Sequence, residues 1–383
     1  MKKIPYGRQN ITDEDIQAVA KVLKSDFLTQ GPTIKLFEEA FAEYVGAKYA
    51  VAVSNGTAAL HLNTLALNLK PGDKVITTPI TFVASANCVR YCGGEVVFAD
   101  IDPNTYLLDI NKVRELLKQD TNNEIKGIIP VNFAGNLIDM EAFKALANEF
   151  NCWIIEDACH SPGGFFFNTK GEKVMSGSGT YADLAIFSFH PVKHIAAGEG
   201  GMITTNDKEL YERLLILRTH GIQQDPSKRI YDDSLWYYEM QELGYNYRLT
   251  DFQAALGLSQ LKRADEGLIR RKEIAKIYQK AFSNTTFVKG QSGVVEGHAY
   301  HLYVLEVENR KELHRFLREQ NIFAQIHYIP VHLMPYYQQL GSREGDMPHA
   351  ESYYNHCISL PMYPTLTAEE QEFVIATVKK FYA

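Results

Sequence analysis

The sequence predicts an α/β protein, with a large domain on a mostly parallel sheet and a smaller α+β domain at the C-terminal end. Three observations carry this. Between residues 49 and 205, short apolar runs alternate with helical stretches, and the runs are apolar throughout rather than at every second position. Strands of that kind are buried on both faces, as in a parallel sheet covered by helical crossovers. At 383 residues the chain has room for one large domain and one smaller one. After residue 250 the alternation gives way to a long helical stretch and a half-alternating strand. The chain is accordingly divided into an N-terminal segment (1–32), a large domain (33–250), and a linking helix with the small domain (251–383).

In order, the first helix is expected over Asp13–Leu23, opened by Thr12 with Asp15 three residues later as a capping pair. Residues 24–32 read as a loop carrying aromatic and hydrogen-bonding groups. Tyr49–Val53 is an apolar strand that stops at Ser54, Asn55, Gly56 and Thr57, and a helix is expected over 58–67. Small residues and free N–H groups at a helix start favour a phosphate. The stretch lacks the lysine of a P-loop and the G-x-G-x-x-G of a dinucleotide site, which disfavours nicotinamide and flavin dinucleotides. Further strands are expected at 74–78, 95–99, 127–131, 153–156, 184–189 and 202–204. Helices at 84–91, 113–118, 140–150 and 210–218 lie among them. Residues 225–241, polar and aromatic, read as an exposed loop. Thr250 with Gln253 forms a capping box that opens a helical stretch toward residue 280. A strand at 298–307 and a helix at 311–320 belong to the small domain.

Ligands of open parallel sheets collect beyond the carboxyl ends of the strands. That rule places Ser54 to Thr57, Pro79 to Phe82, Asp157 and Ser188 to Lys193 around one crevice. Lys193 stands at the mouth of a buried strand, where desolvation lowers a lysine pKa from its usual value of about 10.4. The neutral amine is the form that attacks a carbonyl, so Lys193 is a candidate for a Schiff base with an aldehyde. Most lysines in such loops are surface residues, and the neighbours decide. Asp157 leaves a buried strand, where a carboxylate needs a cation or a cap. It either caps the next helix or holds a protonated pyridine nitrogen, which strengthens that ring as an electron sink. His160 either reaches a phenolic oxygen on the same ring or is a satisfied buried histidine. His327 and His332, five apart without carboxylate or thiolate companions, make a poor metal site, and no metal is expected.

A net charge of −7 leaves no basic footprint for nucleic acid or anionic membrane. No apolar run approaches the roughly 20 residues of a membrane span, and no apolar h-region follows the charged start. Five cysteines, odd in number and without a C-x-x-C pair, read as reduced thiols of a cytoplasmic protein.

Five motifs, in this order, resemble the DegT/DnrJ/EryC1/StrS family of sugar aminotransferases. They are Ser54-Asn-Gly-Thr-Ala-Ala-Leu, Pro79-Ile-Thr-Phe-Val-Ala-Ser, Glu156-Asp-Ala-Cys-His, Phe187-Ser-Phe-His-Pro-Val-Lys with Gly198-Glu-Gly-Gly, and Gly244-Tyr-Asn-Tyr-Arg. The resemblance runs from Tyr6 to Pro364. It implies fold type I, pyridoxal 5'-phosphate as cofactor, and Lys193 as the Schiff-base lysine. It further implies Asp157 on the pyridinium nitrogen and Phe82 stacked on the ring. Gly56, Thr57 and Ser188 would bind the phosphate, with Asn246 supplied by a neighbouring subunit, so a homodimer with shared active sites is implied. Segments around Asp26, Trp236 and His327 are most similar to the branch that moves an amino group from L-glutamate to C4 of a UDP-linked 4-keto-6-deoxy-N-acetylhexosamine in pseudaminic acid biosynthesis. For that branch Tyr6, Asp26, Phe27, Leu28, Thr29, His327, Tyr328, Ile329 and Pro330 would line the sugar-nucleotide site. Two departures stand out: Cys159, where serine or alanine is more familiar, and the His-Ile-Ala-Ala that follows Lys193. A related enzyme that dehydrates its sugar has histidine in place of the lysine, so Lys193 argues for amino transfer.

Overall fold

The computed structural model describes residues 3–232 and 234–383. A short N-terminal strand, β1 (Ile4–Pro5), precedes the large sheet. That sheet uses β2 (Tyr49–Val53), β3 (Lys74–Thr77), β4 (Glu95–Phe98), β5 (Ile125–Ile129) and β6 (Trp153–Asp157). After a hairpin of β7 (Phe165–Phe167) and β8 (Lys173–Met175), it is completed by β9 (Leu184–Ser188) and β10 (Gly201–Thr205). The seven strands lie in the order β2-β10-β9-β6-β5-β3-β4. Only β10 runs antiparallel to its neighbours; every other pairing is parallel. Burial on both faces explains the unbroken apolar runs: Val51, Ala52 and Val53 of β2 and Ala185, Ile186 and Phe187 of β9 have no exposed surface. Gly127 interrupts the apolar run of β5 because a Cβ there would sit 2.2 Å from the Trp153 ring.

A two-stranded ribbon, β11 (Ile222–Gln223) with β12 (Glu239–Met240), stands at the base of an exposed arm. The small domain holds an antiparallel sheet of β13 (Val288–Gln291), β14 (Tyr303–Val307) and, after β15 (Ile322–Phe323), β16 (Cys357–Leu360), with helices Arg310–Glu319 and Ala368–Tyr382 packed on it. The chain start is tied to this domain: β1 pairs with β15, and Ile4 joins its core.

Three expectations change. Helix Pro32–Val45 was not anticipated from the sequence. It starts with Pro at its first position and ends at Gly46, whose φ of 77° closes the last turn. Its stripe of Ile34, Phe37, Phe41 and Val45 is buried against Phe187 and Phe189. The stretch expected to run from 250 to 280 divides into Asp251–Leu261 and Ala264–Phe282. At the break, Arg263 leaves helical geometry and its guanidinium turns to Asp15 and the Asn10 carbonyl. The strand expected at 298–307 begins only at Tyr303, because residues before it bond to the large domain instead. Ala299 N–H donates to Gly135 O (2.8 Å) and Leu302 N–H to Ala134 O (3.1 Å). Among the described residues no helix is long and apolar enough to cross a membrane.

Candidate active site

The carboxyl ends of β2, β6 and β9 converge, and each delivers a different chemical group. Asp157 ends β6 and is 5% exposed. Ser85 Oγ donates to its Oδ2 (2.7 Å), and the Cys159 N–H donates to its Oδ1 (3.1 Å). Ser85 lies 2.8 Å from Thr81 Oγ1, so a short hydroxyl chain fixes the carboxylate's plane. No ion pair to Asp157 exists among the described residues, so the chain leaves this buried carboxylate without a hydrogen-bonded cation. Sequence reasoning gave Ser85 no role; it closes the Pro79-Ile-Thr-Phe-Val-Ala-Ser motif, the one signal that pointed to it.

Behind β2, helix Gly56–Ala66 opens toward Ser188. Asn55 caps it, its side chain accepting the Ala58 N–H (2.8 Å). That leaves the N–H groups of Gly56 and Thr57 as the free donors of the first turn. A Cβ at Gly56 would come within 3.1 Å of Ser188 Cβ and 3.6 Å of Cys159 Sγ, so a side chain there would fill the cradle. The Phe82 ring, in the loop that precedes Ser85, is 59% exposed, with the Tyr328 ring tilted beside it (6.5 Å between centroids). Asn246 is exposed on a strip whose next residue, Tyr247, accepts the Ser54 N–H (2.7 Å).

Lys193 follows β9 and lines a cavity of about 160 Å³. Burial pushes its amine below the usual lysine range; Cys159 and Asp157 oppose that shift, and Arg271 adds to it. Three buried histidines and the half-buried His194 surround it. His160, His194 and His301 are held well below the ordinary imidazole range and His327 down to about 3, burial being the main cause and Lys193 a further one in each. The geometry fixes two tautomers. His160 Nδ1 accepts the Ala134 N–H (3.2 Å), which leaves the proton on Nε2, 3.3 Å from the Tyr328 hydroxyl. His194 Nε2 donates to the Ala299 carbonyl (2.8 Å), so its Nδ1 carries the lone pair. Neutral imidazoles beside Lys193 add no charge to a site that already disfavours an ammonium. His160 thus meets a phenol of the chain itself.

These groups fit pyridoxal phosphate. An amine biased toward its neutral form, a buried carboxylate lacking a cation, a helix start kept open by glycine and an uncovered aromatic face match its aldehyde, ring nitrogen, phosphate and ring.

The residues expected around the sugar divide into two groups. Tyr6 packs on His327 (5.0 Å between centroids), and Tyr328 adjoins Phe82, Phe133 and His160. Pro330 is buried beside Val331, whose N–H donates to Pro79 O (2.9 Å), and Ile329 is 45% exposed. All of these sit at the same strand ends as Lys193. Asp26, Phe27, Leu28 and Thr29 do not. Leu28 O accepts the Asp251 N–H (2.9 Å) and Thr29 bridges Thr250, which leaves Phe27 52% and Leu28 49% exposed on the rim. His327 and His332, weighed above as metal ligands, turn to different partners: His327 to Ser359 (2.9 Å), His332 to Glu351 (2.9 Å).

Comparison with known proteins agrees with this geometry. Residues 9–379 match the DegT/DnrJ/EryC1/StrS aminotransferase family. The spore coat polysaccharide biosynthesis protein SpsC of Bacillus subtilis is 40% identical over 98% of this chain and 96% of its own. A Campylobacter jejuni UDP-4-amino-4,6-dideoxy-N-acetyl-beta-L-altrosamine transaminase is 37% identical over 98% and 96%. Among solved structures, Helicobacter pylori PseC, an aminotransferase involved in pseudaminic acid biosynthesis, superposes with a TM-score of 0.88 at 32% identity, covering 99% of both chains. The PLP-form of the Streptococcus pneumoniae sugar aminotransferase Spr1654 gives 0.87 at 29% identity, covering 99% of this chain and 98% of that one. The chain belongs to the DegT/DnrJ/EryC1/StrS family of aminotransferases, whose cofactor is pyridoxal phosphate.

Proposed function

We propose that this protein transfers the amino group of L-glutamate to C4 of a UDP-4-keto-6-deoxy-N-acetylhexosamine, in the cytoplasm, as a step toward pseudaminic acid. The observation that carries amino transfer is Lys193, an amine whose charge is disfavoured by burial, close enough to Asp157 for the two charges to interact. Bound there, pyridoxal phosphate supplies an aldehyde for the amine and a ring that accepts electrons from the substrate carbon. Lys193 Nζ would anchor the cofactor covalently and, when freed, would take the proton from the donor's α-carbon. Asp157, oriented by Ser85 and the Cys159 N–H, holds a proton on the ring nitrogen. Gly56, Thr57 and Ser188 hold the phosphate, Phe82 covers one ring face, and His160 lies toward the phenolic edge. Tyr6, His327, Tyr328, Ile329 and Pro330 grip the sugar nucleotide. Asn246 completes the phosphate site of the neighbouring subunit, and Asp26, Phe27, Leu28 and Thr29 line the rim of the sugar-nucleotide site, so the working unit is a homodimer.

The 37% identity to the altrosamine transaminase and the likeness to PseC support this substrate. The 40% identity to SpsC favours a second reading, amination of another 4-keto or 3-keto nucleotide sugar. Incubation with L-glutamate and a panel of UDP- and dTDP-linked 4-keto-6-deoxyhexoses separates the two. Turnover of the UDP-N-acetyl sugar is expected; preference for a dTDP sugar would overturn the assignment.

A further inference from the structure

The stretch from Tyr247 to Gln253 touches three parts of the site that lie far apart in sequence. Tyr247 O accepts the N–H of Ser54, at the start of the phosphate loop (2.7 Å). Gln253 Nε2 donates to the Glu199 carbonyl (3.0 Å), in the glycine turn that follows Lys193. Between them, Asp251 holds the rim. It has no exposed surface and, among the described residues, no ion pair. Its carboxylate accepts the Gly31 N–H at Oδ2 (2.8 Å) and the Thr33 N–H at Oδ1 (3.0 Å), and its own N–H donates to Leu28 O (2.9 Å). Two helices make this buried charge tolerable. Asp251 is the first residue of helix Asp251–Leu261, and it stands at the start of helix Pro32–Val45, whose N-cap, Gly31, has no side chain to offer. A carboxylate there is favoured by the helix dipole and by the unpaired donors of the first turn. Gly31 is required for space rather than for backbone freedom, its φ being −94°. A Cβ at that position would lie 2.8 Å from Asp251 Oδ1 and 2.4 Å from Phe27 Cβ.

We propose that Asp251 is a positioning residue for sugar-nucleotide recognition, fastening the rim segment Asp26 to Thr29 to the stretch that also holds the phosphate loop and the glycine turn after Lys193. The inference rests on the reading of that segment as the rim of the sugar-nucleotide site, and adds what sets its position. Thr29 is bridged to Thr250, and Leu28 and Gly31 are bonded to Asp251, so the main chain is committed. The side chains of Phe27 and Leu28 nevertheless stay about half exposed. A fixed main chain that presents free side chains can meet a ligand with little further ordering. Upstream, Ser25 Oγ donates to Val22 O (2.8 Å), a contact internal to the N-terminal segment, so the ties toward the cofactor site come from Thr250 and Asp251. Bonds from N–H groups to an ionised acceptor are the stronger kind, which suits a carboxylate to this task better than an amide.

The test uses the cofactor-loaded protein and two variants, Asp251→Asn and Gly31→Ala. The first turns one acceptor into an amide donor that faces an N–H. The second leaves the carboxylate in place and crowds Phe27 away from it, so the two variants reach the same segment by different routes. The half-reaction with L-glutamate is followed apart from that with the UDP-4-keto-6-deoxy-N-acetylhexosamine, the latter begun from the pyridoxamine form. Each variant should raise the sugar concentration for half-maximal rate by roughly tenfold or more. The limiting rate with the sugar and the L-glutamate half-reaction should each change by less than about threefold. An unchanged half-saturating sugar concentration in Gly31→Ala, or equal loss in both half-reactions, overturns the role given to Asp251. If the wild type consumes L-glutamate but converts no nucleotide sugar at all, the reading of the sugar site fails instead.

Discussion

Two regions of the molecule treat their polar and apolar groups in opposite ways. Around Lys193 almost every side chain is enclosed, and Asp157, Ser85, His160 and His327 each have named partners within the chain. On the rim, the arm over 225–243 displays Ile230, Tyr231, Leu235, Trp236 and Leu243, each at least 70% exposed. The arm is held largely by itself: Glu239 accepts the Ile230 N–H (2.6 Å) and the Tyr237 hydroxyl (3.2 Å). Apolar surface of that size marks a candidate interaction site rather than an ordinary surface. The groups around Lys193 are therefore held by contacts within the chain, whereas the proposed homodimer would cover the rim and carry Asn246 to the neighbouring phosphate site.

That contrast predicts where substitutions should act. Lys193→Ala should have the largest effect, a loss of turnover of roughly a thousandfold or more together with the loss of any covalently held cofactor. Retention of both would break the distinction at its strongest point. Next in size is acid sensitivity. His160, His194, His298, His301 and His327 all have pKa values below the ordinary 6.5 in the fold, His298 and His327 down to about 3, with burial the main cause. They are neutral when folded but take up protons when unfolded, so their contribution is complete above pH 6.5 and is lost as pH falls toward the folded values. Each lost proton difference costs up to about 1.4 kcal/mol per pH unit. Urea midpoints measured between pH 7 and pH 4.5 should fall steeply, and a flat profile would show that these rings are not desolvated.

Smaller effects belong to the rim and to the supports. Tyr231→Ser with Trp236→Ser should shift sedimentation toward a single chain and weaken sugar binding about tenfold, while Lys193 remains the site of attachment. An unchanged assembly would separate the arm from the proposed interface. Ser85→Ala removes one hydrogen bond to a buried carboxylate. It should lower the amino-donor rate by roughly tenfold without altering the sugar's half-saturating concentration.

Sequence alone revealed the centre more clearly than its surroundings, for physical reasons. Asp157 and Lys193 stand at or just beyond the carboxyl ends of strands built on apolar runs, so strand-end placement could be read from local pattern. The Thr250–Gln253 cap is equally local, and the structure contains it. Helix Pro32–Val45 was harder: Ile, Phe, Tyr and Val are mediocre helix formers, and what forms this helix is burial of one stripe against Phe187 and Phe189, a tertiary event. Ser85 and Arg271 were hidden for the same reason. One is a small polar residue in the first turn of a helix and the other sits in an Arg270-Arg271-Lys272 run that reads as a solvated face. Only packing brings the first to Asp157 and sinks the second beneath the Lys193 cavity.

The most direct measurement is borohydride reduction of the purified, cofactor-loaded protein followed by peptide mass mapping. A reduced phosphopyridoxyl group on the peptide containing Lys193, absent from Lys193→Ala, is the predicted result. Cofactor trapped on another lysine, or full amino transfer by a protein whose Lys193 stays unmodified, would contradict it.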